Sequence, residues 1–235
     1  MKQFIFVLLM VWMVLPIIAQ NQKDTVFTTL DAPEQYQKKK RQYAIYSINK
    51  LKDGALLVRL KTREQAIKLY RQNGATDIAD NIQADQEKEN LRIVAAFREA
   101  YKFSPVYFFF SSATDSVKKG IRSGYFLNDS LKIDPKIVLK EDFFMIAEFG
   151  PLQAETYTFA QEGGTSNPDN TGSLERALLV RDSYFIQMRD PFPFYVSAMV
   201  EKPRMMAAHV KNLNDSFFRF YEKHQQEQPF YPFND

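Results

Sequence analysis

The sequence contains no cysteine. Disulfide frameworks, thiol catalysis, thiolate metal sites and lipid attachment through an N-terminal cysteine are therefore ruled out together, and core packing has to supply the stability. Histidine is scarce as well: only His209 and His224 occur. Any histidine-based metal site or Ser-His-Asp triad would have to use one of two side chains placed fifteen residues apart on one C-terminal helical stretch. No excess of one charge is present either, with 31 Lys and Arg against 28 Asp and Glu. That balance excludes the strongly basic signature of a nucleic-acid binder. The one dense basic cluster, Lys38, Lys39, Lys40 and Arg41, falls within an expected helix at 33–51 and reads as a solvated helix face.

Signature motifs are missing too. No G-x-G-x-x-G, Gly-Lys-Ser/Thr phosphate loop, G-x-S-x-G or H-E-x-x-H is present, so nucleotide binding and the commoner hydrolytic centres lack their usual sequence support. Two S-x-x-K matches, at Ser47 and Ser116, come without the S-D-N and K-T-G companions that would give them meaning. Neither a cofactor nor a metal is expected.

What is present begins with one long apolar run. Residues 4–19 follow Lys2, are almost unbroken by polar side chains, and end on the small residue Ala19. The run is shorter than the roughly 20 residues that a membrane-spanning helix needs. Residues 1–19 are therefore expected to be a cleavable export signal, and the protein periplasmic or secreted, with no transmembrane helix after cleavage. A flexible segment at 20–32, a single domain at 33–224 and a C-terminal tail at 225–235 complete the expected organisation.

The strongest periodic signal lies at residues 87–112. Leu91, Val94 and Ala95, with Ile93 and Phe97 beside them, recur at helical spacing. Ser104-Pro105 then stops the helix, and Val106 to Phe110 form a strand apolar on both faces, which belongs inside a covered sheet. Upstream, a helix ending at Gly54, a strand over 55–61, a helix opened by a Thr62/Gln65 capping box and a further helix from about residue 76 give the order helix, strand, helix, helix, strand. Two apolar strands joined by a helical crossover imply parallel pairing. Downstream, short apolar runs at 124–127, 143–149, 156–160, 177–181 and 184–188 read as strands, the last two as a hairpin around Asp182-Ser183. A mobile loop is expected at 163–173 and a terminal helix over about 203–224, striped by Met206, Val210, Leu213, Phe217 and Tyr221. The fold class is thus α/β, a single domain with a mixed sheet whose N-terminal half is parallel and C-terminal half antiparallel, closed by a C-terminal helix; α+β is the alternative.

Two places could carry function. The loop after the strand at 106–110 lies on the usual ligand side of a parallel sheet, which makes Ser111, Ser112 and Asp115 candidates. Nearby stands Glu148, a carboxylate within FFMIAEFG that either has a raised pKa and acts as an acid or base, or projects from a strand end. The second place is aromatic. Pro191-Phe192-Pro193-Phe194-Tyr195 is nearly echoed by Pro229-Phe230-Tyr231-Pro232-Phe233, and proline-fixed extended backbone presenting aromatics is a known way to dock on a partner. Phe192, Phe194, Tyr195, Phe230, Tyr231 and Phe233 are accordingly candidate contacts, possible partners being proteins of the envelope.

The apolar leader, the GALLVRLKT run, the FREAYKFSPVYFFFSS junction, the FFMIAEFG strand and the RDPFPFYV segment before a terminal helix together resemble a family of exported bacterial proteins with no assigned function. The resemblance covers most of the chain beyond residue 19 and implies an exported address without a mechanism. The function expected is a non-catalytic binding or interaction module of the bacterial cell envelope. The alternative is a carboxylate-dependent hydrolase or transferase centred on Ser111 to Asp115.

Overall fold

A computed structural model of the chain describes residues 33–153, 175–198 and 205–227, with side chains from residue 36 onward. The expected strand at 156–160, the loop at 163–173, Pro203 and the aromatic tail at 229–233 lie outside the described residues. The elements, in order, are α1 (Pro33–Asp53), β1 (Ala55–Leu60), α2 (Glu64–Gln72), α3 (Thr76–Ala100), β2 (Val106–Phe110), a 3-10 turn (Ser111–Ala113), α4 (Thr114–Lys118), β3 (Phe126–Leu127), β4 (Phe144–Pro151), β5 (Arg176–Arg181), β6 (Tyr195–Ser197) and α5 (Met206–His224).

The six strands form one mixed sheet in the order β3-β2-β1-β4-β5-β6. β1 pairs in parallel with β2 on one side and with β4 on the other. β3, β5 and β6 join antiparallel. The α/β class with a mixed sheet and a C-terminal helix is therefore present as expected, with one refinement: the centre of the sheet is β1 and β4, and β2 stands one place further out.

Alternation along the strands divides their side chains between two cores. Leu56, Val58 and Leu60 of β1, Phe108 of β2, Met145 and Ala147 of β4, and Leu178 and Val180 of β5 share one face, covered by Ile48 and Leu51 of α1, Val94 and Phe97 of α3, and Val210, Leu213 and Phe217 of α5. Ala55, Leu57, Phe109 and Ile146 face the other way, against Val117 of α4 and against Tyr125 and Leu139 of the connection between β2 and β4. Cover on both faces explains why β2 could be apolar throughout.

α3 begins at Thr76, as expected, and runs unbroken over 25 residues through its polar middle. Several other local expectations give way to tertiary packing. Thr62 does not cap α2: Arg63 takes the N-cap position in a left-handed conformation (φ 51°) with no side-chain cap bond. The Thr62 hydroxyl instead lies 3.3 Å from Ser111 Oγ. Gly54 closes α1 without a positive φ, and glycine is needed there for room, because a Cβ would fall 2.5 Å from the Phe143 carbonyl oxygen and 2.8 Å from that of Lys50.

Residues 184–188 form no strand. Asp182 gathers them into a turn by accepting bonds from the Tyr184 and Ile186 amides, each at 2.9 Å, leaving a lone bridge between Arg181 and Gln187. The partner of β5 is β6, drawn from the Pro-Phe-Pro-Phe-Tyr segment. The basic cluster on α1 is only partly a solvated face, since Lys40 is buried beneath Tyr36 and Arg41 holds both carboxylate oxygens of Glu227 at 2.9 Å.

Candidate functional site

The chain leaves β1 and β2 toward opposite faces of the sheet. After β1 it passes through α2 to α3, which packs on the α1/α5 face, and after β2 it enters α4, which packs on the other. Adjacent parallel strands whose connections diverge in this way open a crevice at their C-terminal ends, where open α/β sheets hold their ligands. An open groove of about 800 Å³ lies here, lined by Lys61 and Thr62 after β1, Phe110 at the end of β2, residues of α2 and α3, and Ser130, Leu131 and Lys132. Four of its side chains are basic (Lys61, Lys68, Arg71, Lys132) and two acidic (Glu64, Glu87). Burial, and next the charge of Arg176, hold the Lys61 ammonium below its ordinary pKa against the pull of Glu148 and Glu89.

Beside the groove the sheet holds an ionic cluster. Glu148, on the same face as Ile146, is 5% exposed. Its Oε2 accepts from Arg59 Nη1 at 2.8 Å and its Oε1 from Arg181 Nε at 2.6 Å. Parallel register between β1 and β4 and antiparallel register between β4 and β5 bring the three together, each strand contributing one side chain to the cluster. Arg59 Nε donates onward to Thr114 Oγ1 at 3.1 Å, and Thr114 Oγ1 donates to the Ser111 carbonyl at 2.6 Å. Ser111 Oγ in turn meets Thr62 Oγ1, so Ser111 links the cluster to the rim of the groove, through its carbonyl on one side and its hydroxyl on the other. Arg181 Nη1 also binds the carbonyl of Phe185, a residue at φ 67° whose ring lies near Arg59 and Lys118.

This geometry revises the reading of Glu148. The residue does not project from a strand end, and its pKa is not raised. Burial opposes ionisation, but the Arg59 hydrogen bond and then the charge and hydrogen bond of Arg181 outweigh it and hold the carboxyl below the usual range. A carboxylate with both oxygens engaged by guanidinium groups is a poor proton acceptor. Of the loop candidates, Ser111 joins the network, whereas Ser112 and Asp115 are exposed and stand outside it. Arg59, Arg181 and Gln86 were missed. The signal available for the first two was a charge on each of two otherwise apolar strands, Arg59 within ALLVRL and Arg181 at the end of RALLVR, opposite in sign to Glu148.

The histidines sit elsewhere. α5 packs on the face opposite Glu148; His209 is buried with Nε2 unpartnered among the described residues, and burial lowers its pKa. His224 Nδ1 lies 2.7 Å from Glu227 Oε1, and its ring packs on Phe220 at 4.6 Å. No group of three His, Asp or Glu side chains able to hold a metal ion occurs among the described residues, nor does any helix long and apolar enough to cross a membrane.

The aromatic candidates separate. Phe192 is 1% exposed and packs edge-on against Phe217 at 5.5 Å, so it belongs to the core and cannot anchor a partner. The proline-containing segment turns Phe192 inward as it delivers β6 to the sheet. Phe194 is half-buried against the same core, and Tyr195 is exposed on β6. Phe230, Tyr231 and Phe233 are outside the described residues. In comparisons with known proteins, the chain matches no family model, no curated protein and no solved structure.

Proposed function

We propose that the protein is an exported, non-catalytic binding module of the bacterial cell envelope, with the groove at the C-terminal ends of β1 and β2 as its ligand face. The observation that carries this reading is the pairing of an open, cation-rich groove with a carboxylate that is already fully engaged: Glu148 braces the strands beside the groove and has no oxygen left for proton transfer. A carboxylate-dependent hydrolase or transferase would need that oxygen free. The apolar leader at residues 1–19 supports the exported address, and Tyr195 on β6 remains available for contact with an envelope partner.

Two measurements test the reading. Trp12 is the only tryptophan, so protein purified from its native host should emit as tyrosine alone once the leader is removed; tryptophan emission would rule out cleavage of the leader. Against chromogenic esters, phosphoesters and glycosides, the purified protein should show no turnover above background. Turnover that disappears in Glu148→Gln, with folding intact, would establish the enzymatic alternative.

A further inference from the structure

We draw no further inference here: the strongest candidate, the outer edge of the sheet at β6, where Tyr195 is exposed and the strand pairs only with β5 among the described residues, carries nothing because nothing in the structure shows what covers it.

Discussion

Replacing Glu148 by Gln should be among the most damaging single changes in the sheet, even though shape and volume are nearly preserved. The side chains of Glu148, Arg181 and Arg59 are 7%, 12% and 28% exposed, so the cluster is largely removed from water. Without the carboxylate, two guanidinium groups are left close together with no counter-charge, and breaking a buried ion pair from one side costs about 3–5 kcal/mol. For a domain of this size that corresponds to a melting temperature lower by roughly 6–20 °C. Arg181→Met leaves Glu148 its bond to Arg59 and should cost about 2 kcal/mol, on the scale of one charged hydrogen bond. The double variant Glu148→Gln/Arg181→Met should lose about 1–3 kcal/mol less than the sum of the two single changes, because Glu148→Gln alone strands two guanidinium groups and the double variant strands only that of Arg59. The pH dependence has a definite sign. Since the folded-state pKa of Glu148 is depressed, its contribution is complete above the unfolded carboxyl value of about 4.3 and fades as pH falls through the lower folded value. Urea denaturation at pH 7, 5 and 3 measures all of this: the gap between wild type and Glu148→Gln should be widest at pH 7 and narrow toward pH 3. A loss under about 1 kcal/mol at pH 7, or a gap constant with pH, would refute the bracing role.

Phe192→Ala should destabilise the protein by about 3–5 kcal/mol, the usual cost of emptying a buried aromatic site, because its ring is enclosed beside Phe217 and Phe220. A change under about 1 kcal/mol by chemical denaturation would mean that the ring is not in the core. Asp182 is held above its ordinary pKa by burial, partly offset by the Ile186 and Tyr184 amides and the Tyr43 hydroxyl. The native state therefore binds the proton more readily than the unfolded chain, and stability falls as pH rises from about 4 through the raised native value. Asp182→Asn removes that loss, so the variant should be more stable than wild type at pH 7 and gain nothing near pH 3. A variant less stable at pH 7 would show that the charged form is the one the turn requires.

The sequence by itself determined the class of the fold and the chemistry unavailable to it. Helical spacing in α3 and α5, the proline stop before β2, and a strand apolar on both sides are local signals, each contained within a few turns or one strand, and the parallel pairing of β1 with β2 follows from the helical connection between them. The absence of cysteine and the two histidines on one helix likewise needed no coordinates.

The rest was settled by contacts between residues far apart in the chain. Glu148 meets Arg59 across 89 positions and Arg181 across 33. Whether a lone charge on an apolar strand is exposed, protonated or paired depends on the register of neighbouring strands, which periodicity within one strand does not contain. For the same reason Thr62 reaches Ser111 instead of capping its own helix, Phe192 turns inward, and Gln86 Oε1 has no partner among the described residues once Asn90 has bound the Lys61 carbonyl. Local preferences here amount to about 1 kcal/mol or less per residue, whereas burying a ring or pairing a buried charge is worth several. Where the two conflict, the tertiary structure decides.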